Sequence, residues 1–179
     1  GGSLNGRGQV QAVAVAKRIK DLGPVDLIMA SPTQRTQETA VAISECLHTQ
    51  VEACDGLIDL DYGVWAKVPL KEAREAAPTL FKKWADAPHT VTFPGGGSLA
   101  QLRKQVLGTI WDTYARFPTG TLVWVTHDSP IRVVVCHVLG LDDSYHYQVK
   151  TYVGSLTIVD ITPNQATLVT LNDSQDFTR

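Results

Sequence analysis

The sequence predicts a doubly wound α/β fold, and three observations carry that prediction. Short apolar runs alternate with longer segments of helical periodicity along the chain. Breakers fall between them, at Gly23-Pro24, Pro78, Pro94 to Gly97, Gly140 and Pro163-Asn164. The length, 179 residues, suits one domain with a full core.

Taken in order, Gln9–Leu22 carries Val10, Ala12, Val13, Val15 and Ile19 as a helical stripe and stops at Gly23-Pro24. Val25–Ala30 reads as a short buried strand. Thr36–Leu47 reads as a helix and Gln50–Cys54 as a second strand. Leu70–Ala77 and Thr79–Asp86 are two short helices split by Pro78. Ala87–Gly97, with two prolines and three glycines, is a loop. Ser98 caps the next helix, which sets Leu99, Leu102, Val106, Ile110 and Trp111 on one face. Thr121–Thr126 looks the most buried of the strands, and Ile131–Leu139 is a helix closed by Gly140. Ser155–Ile161 and Thr167–Leu171 alternate as a strand pair around Pro163-Asn164. There is no repeat and no linker, so the reading is one domain over 1–179, with 57–97 inserted over the strand ends.

Composition excludes several function classes. A formal charge of −2 and dispersed basic residues give no general field for nucleic acid or anionic membrane. Lys82-Lys83 beside Trp84 reads as a solvated helix face. No apolar run approaches the roughly eighteen residues of a membrane span, and no signal peptide is visible. Three cysteines, Cys46, Cys54 and Cys136, are odd in number and lack metal-ligand spacing, so they read as reduced thiols, mostly in the core, of a cytoplasmic protein.

Chemistry concentrates in three segments. Thr126-His127-Asp128-Ser129-Pro130 follows an apolar run and sets an imidazole at a strand's carboxyl end, at the mouth of a helix. Backbone N–H groups at that edge of an α/β sheet favour anions. Ser31-Pro32-Thr33-Gln34-Arg35 follows another apolar run, and Arg35 falls in the first helical turn, where a planar guanidinium can grip two phosphoryl oxygens. Leu57 to Trp65 supplies Asp59 and Asp61 among apolar and aromatic residues, a setting that can raise a carboxyl pKa until it donates a proton. Tyr62 and Trp65 read as core, His137 as a mid-helix structural residue, and nothing selects His89 or His146. Gly95–Gly97 is no phosphate-binding P-loop, since no Gly-Lys-Ser/Thr follows; it reads as a mobile or tight turn.

With these segments in place the chain resembles the histidine phosphatase superfamily, in its phosphoglycerate-mutase-like branch. Leu4-Asn5-Gly6-Arg7-Gly8-Gln9-Val10-Gln11-Ala12 is similar to L-[TN]-x-x-G-x-x-Q-A, and Ser31-Pro32 with Arg35, Thr39 and Ala40 to S-S-P-x-x-R-x-x-x-T-A. Leu57 to Trp65 resembles the stretch holding the family's proton donor. Pro94-Gly95-Gly96-Gly97-Ser98 resembles P-G-G-E-S, and Leu171-Asn172-Asp173-Ser174 resembles L-N-D-T. The motifs run in the family's order from Leu4 to about Phe177.

The resemblance implies a three-layer α/β/α sheet of the phosphoglycerate-mutase-like type. It implies a phosphomonoester hydrolase, or a mutase-like phosphoryl transferase, working through a phosphohistidine without a metal or other cofactor. Arg35 and Asp128 are implied as substrate-binding residues, His127 as the second pocket histidine and Asp59 as the proton donor, with Asp61 an open competitor. The expected partner is a small phosphorylated metabolite, with no nucleic acid or membrane and with a homodimer left open.

The chain also departs from the family's pattern. Relatives carry an Arg-His-Gly triplet, whose His is the nucleophile, about twenty residues before the L-N-x-x-G segment. None of the five histidines here follows an arginine: His48, His89, His127, His137 and His146 come after Leu, Pro, Thr, Cys and Tyr. The expectation is therefore that the nucleophile, a second core arginine and a first, central strand are absent from this chain. Asp59 stands where Glu is usual, Ala66-Lys67 in place of Glu-Gly, Gly97 in place of Glu, and Asp128-Ser129 in place of Gly-Gly. The rival reading is a non-catalytic phosphate-binding or regulatory domain that has lost its nucleophile.

Overall fold

The computed structural model describes residues 2–174; Phe177, where the resemblance ends, lies outside them. Helix α1 (Gly6–Leu22) starts where the Asn5 carboxamide accepts from the Gly8 N–H at 2.9 Å, satisfying one of the amides that no helix turn can reach. Strand β1 (Leu27–Ala30) leads into helix α2 (Gln34–Leu47), which ends as His48 turns left-handed at φ 58°. Strand β2 (Val51–Ala53) is followed by single turns at Asp55–Leu57 and Gly63–Trp65. Next come α3 (Leu70–Ala76) and α4 (Pro78–Asp86), with Pro78 in the first turn of α4, where its missing N–H costs nothing. Helix α5 (Leu99–Arg116) opens on a capping box between Ser98 and Gln101. Strand β3 (Leu122–Val125), helix α6 (Asp128–Val138), a 3-10 turn at Asp143–Gln148, and strands β4 (Leu156–Ile161) and β5 (Ala166–Asp173) complete the order.

The parallel sheet runs β2-β1-β3, with Ile28 opposite both Val51 and Val123. Side chains alternate across it. Ile28, Ala30 and Val125 pack with Ala16, Ile19, Ala40 and Ile43 of α1 and α2. Leu27, Met29, Leu122 and Trp124 pack on the other face with Leu57 and Phe117. The result is a central parallel sheet between helical layers, the three-layer architecture expected. Strands β4 and β5 form a separate antiparallel pair.

Four expectations about burial are corrected. All four residues of β1 are buried, whereas Leu122, Val123 and Trp124 of β3 are only half-buried. Among the described residues β3 pairs with β1 alone, so one of its edges has no strand to cover it. In α1 the face that packs is Ala12, Ala16 and Ile19, which lie within a narrow arc of the helix; Val10 and Val13 point away and are exposed. Trp111 is likewise exposed, although it follows the buried Ile110. Of the cysteines only Cys136 is buried; Cys46 and Cys54 are half-buried and all three are free.

Segment 57–97 shares a core with the rest of the molecule. Leu60, Phe81, Trp84, Val91 and Phe93 pack with Leu99, Leu102, Val106 and Val133 of α5 and α6. Tyr62 meets Phe93 edge-on at 4.9 Å, and Trp84 meets Phe93 at 5.1 Å and His146 at 5.8 Å between ring centres. Backbone contacts fix the segment further: Val64 N donates to Pro94 O (3.1 Å) and Gly97 N to Asp61 O (2.8 Å). The approach is close enough to require glycine. A Cβ on Gly63, at φ +55°, would lie 2.1 Å from Pro94 O, and one on Gly96 would lie 2.4 Å from Gly63 N. The Gly95–Gly97 stretch is a tight turn.

Two glycines should therefore respond to alanine in opposite directions. Gly63→Ala should lower stability by at least about 1–3 kcal/mol, the usual cost of a strained backbone, with the clash in addition. Gly108→Ala, in α5 with nothing within 4 Å of the added carbon, should raise it by up to about 1 kcal/mol. Urea midpoints of the two variants check this.

Candidate active site

Pairing of β1 with β3 continues one step past the strands, where Ser31 N donates to Val125 O at 2.9 Å. This sets Ser31, the first turn of α2 and the residue capping α6 side by side. Arg35 Nη2 lies 2.8 Å from His127 Nδ1, and His127 Nε2 lies 2.9 Å from Ser31 Oγ. A guanidinium can only donate, so Nδ1 must be the acceptor and the imidazole proton sits on Nε2, donated to the serine. Burial, reinforced by the Arg35 charge, pushes the His127 pKa down to about 4 against a weaker opposing pull from Asp128. The ring is neutral, oriented from both sides and buried.

The acidic segment is tied to the same edge. Thr126 Oγ1 donates to Leu57 O at 2.7 Å, and Gln105 Nε2 donates to Gly56 O (3.2 Å) and Ile58 O (3.1 Å). The next residue, Asp59, is carried to the pocket. Burial raises its carboxyl pKa; the Leu60 N–H (2.9 Å from Oδ1) pulls it down, the Asp128 charge pushes it up, and Ser129 and Arg35 act as smaller downward influences. Asp61 is exposed and points elsewhere, its Oδ1 accepting from Gly63 N at 2.8 Å to shape the turn. Of the two candidate carboxyl groups, only Asp59 sits with the arginine and the histidine.

Asp128 opens α6. Its Oδ2 pairs with Arg132 Nη2 at 3.0 Å, and its Oδ1 accepts from Ser129 Oγ at 3.3 Å. All four residues expected at the site, Arg35, Asp59, His127 and Asp128, are thus brought together. The structure adds Ser31, Ser129, Tyr62 and Arg132, which the sequence reading did not select. Tyr62, held in its aromatic cluster, has a hydroxyl pKa pushed up to about 12, chiefly by burial and then by Asp59. The signal for Ser129 and Arg132 was their place in the first turns after His127. For Ser31 it was the residue directly after a strand. His146 is no loop contact: it is buried against Trp84 and Tyr147, and burial lowers its pKa to about 4.

The arrangement suits a tetrahedral oxyanion next to a proton source. Arg35 offers a planar fork, the α2 and α6 starts offer unpaired N–H groups, and Asp59 is a shielded acid. No group of three or more His, Cys, Asp or Glu among the described residues is arranged to hold a metal ion. No described helix is long and apolar enough to cross a membrane.

Comparison with known proteins points the same way. The profile of the Histidine phosphatase superfamily (branch 1) matches residues 2–174. Phosphoserine phosphatase 1 of Hydrogenobacter thermophilus is 31% identical over 169 residues, 94% of this chain and 80% of that protein. Bifunctional protein Rv2228c of Mycobacterium tuberculosis is 27% identical over 168 residues, of which this chain spans 46% of the length. Among solved structures, Bacillus stearothermophilus YhfR superposes with a TM-score of 0.90 at 19% identity, covering 96% of this chain and 85% of that one. Mycobacterial glucosyl-3-phosphoglycerate phosphatase Rv2419c with inorganic phosphate gives 0.85 at 22% identity, covering 96% and 88%.

Two measurements test this electrostatic picture. The His127 pKa, read by NMR, should lie near 4 and rise in Arg35→Ala, which removes a positive charge from the ring's edge. Stability should also fall on acidification. The unfolded chain takes up histidine protons near pH 6.5, whereas folded His127 and His146 do so only near 4, so stability is lost as pH drops through that window. The loss should reach about 3 kcal/mol per histidine, and His146→Leu should flatten it in urea titrations at pH 7 and 4.5.

Proposed function

Since the chain belongs to branch 1 of the histidine phosphatase superfamily, we propose that its pocket binds phosphomonoesters and serves their hydrolysis. The observation that carries this reading is the Arg35–His127 pair at 2.8 Å with a shielded Asp59 beside it. Arg35 and the α2 and α6 N–H groups hold the phosphoryl oxygens. The His127 Nε2–H swings from Ser31 to add a further donor. As an attacking imidazole nitrogen bonds to phosphorus, the bond to the leaving oxygen breaks, and Asp59 passes its proton to that oxygen. The Asp59 carboxylate then takes a proton from water, whose oxygen displaces the imidazole and frees phosphate. Burial raises the donor's pKa, which favours its protonated form for the first step. The rest is positioning and charge stabilisation.

The attacking imidazole is not His127, whose Nδ1 lone pair is taken by Arg35 and whose Nε2 carries the ring proton. We propose that a histidine-bearing strand supplies it by pairing on the edge of β3 that no described strand covers. That edge supports the reading because a central strand buries both faces and pairs on both sides. Hydrolysis is favoured over mutase transfer by the short stretch between Tyr62 and Gly97. Phosphoserine comes forward as a first substrate to try, because the relative at 31% identity is called a phosphoserine phosphatase. The second reading, a phosphate-binding domain without turnover, is favoured by the absence of any Arg-His pair in the sequence.

The polypeptide Gly1–Arg179, verified by mass, should bind vanadate or phosphate through Arg35 and leave p-nitrophenyl phosphate intact. Robust His127-dependent turnover would overturn the assignment of the nucleophile. In a protein completed with a histidine-bearing strand, Asp59→Asn should cut hydrolysis of alkyl phosphates about 10²–10⁴-fold and of aryl phosphates far less. Asp61→Asn should do neither. If the completed protein binds phosphate but turns nothing over, the binding-domain reading stands.

A further inference from the structure

Resting on the phosphomonoester reading, we propose that Asp128 selects substrates whose leaving group carries a positive charge, such as a protonated amine, and disfavours those with a second anionic group. Asp128 directly follows His127 and opens α6. Its side chain is 53% exposed, while His127, Ser129, Pro130 and His146 around it are buried. Its charge is felt by Asp59, the carboxyl assigned to protonate the leaving oxygen, so it lies on the side of the pocket where a leaving group sits.

The side chain is held in that position. Arg132 Nη2 grips Oδ2 at 3.0 Å and the buried Ser129 hydroxyl approaches Oδ1 at 3.3 Å. The two members of the ion pair are unequally presented. Arg132 is only 12% exposed, its guanidinium lies 5.2 Å from the Tyr147 ring centre, and its Nε is buried without a partner. A ligand thus meets the carboxylate in water and the guanidinium only behind it. A ligand arriving from solvent lies nearer the carboxylate than the guanidinium behind it, and the Coulomb interaction falls with distance.

The cluster's charges point the same way. Arg35 makes no ion pair among the described residues and is the cation left for the phosphoryl group. Arg132 is matched by Asp128. A carboxylate or second phosphate on the leaving group finds a carboxylate at the rim, and an ammonium finds a partner.

The test is binding to the 179-residue chain at pH 7, followed by NMR titration with phosphoethanolamine, glycerol 3-phosphate and 3-phosphoglycerate. These carry a cation, no charge and an anion beyond the phosphate. Phosphoethanolamine should bind more tightly than 3-phosphoglycerate by about tenfold or more, as expected for one screened charge contact. Asp128→Asn should bring that ratio down toward one. The double variant Asp128→Asn/Arg132→Gln should do the same, which separates loss of the carboxylate from exposure of an unmatched arginine. Binding that depends on Arg35 yet shows no charge preference, or a preference that survives both variants, overturns this inference and leaves the phosphate site intact. Absence of Arg35-dependent binding for all three ligands takes down the functional reading and this inference with it.

Discussion

Four residues of β1 lie in parallel register against four of β3, and from that pairing the remaining features of the molecule follow. It brings Ser31 against His127 across 96 positions of sequence and Arg35 against His127 across 92. The contact is inexpensive to maintain because apolar packing enforces it. Ile28, Ala30 and Val125 are locked under α1 and α2, and Leu27 and Met29 over Leu57. Any slip of β3 by one residue would exchange the two faces and pull His127 away from the arginine.

The electrostatic character of the pocket follows from what that pairing buries. A histidine beside a guanidinium in a shielded site stays neutral, and a carboxyl in the same site holds its proton longer. Burial thus favours the uncharged form of both groups. Asp128, by contrast, is half-exposed and keeps its carboxylate in water beside Arg132. Three acidic side chains, Asp59, Asp61 and Asp128, are thus given different surroundings: Asp59 is buried, Asp61 accepts from Gly63 N, and Asp128 pairs with Arg132.

The second core makes the acid's position reproducible. Leu60 sits next to Asp59 in sequence and is buried with Phe81, Trp84 and Phe93, and Gly97 N holds the Asp61 carbonyl. Displacing Asp59 would mean lifting Leu60 out of that cluster. His146, packed on Trp84, links the cluster to the chain after α6. Segment 57–97 is in this sense fixed to α5 and α6.

The sequence by itself determined the alternation of strands and helices, the cap at Ser98, the stop at Gly140, and the placement of Arg35 and His127 at the starts of helices. Those are local properties, set by periodicity, capping chemistry and backbone restrictions within a few residues. Tertiary structure decided what depends on distant neighbours. It chose Asp59 over Asp61, because both are carboxylates in one extended segment and only the ties from Thr126 and Gln105 settle which one faces the site. It recruited Ser31 and Ser129, whose types are common at helix starts for capping alone. It also reversed the apparent burial of β3, since an apolar run does not reveal whether both of its edges are paired. Val10, Val13 and Trp111 mislead in the same way: apolar side chains on a helix need a surface to pack against, and the packed fold decides which face has one.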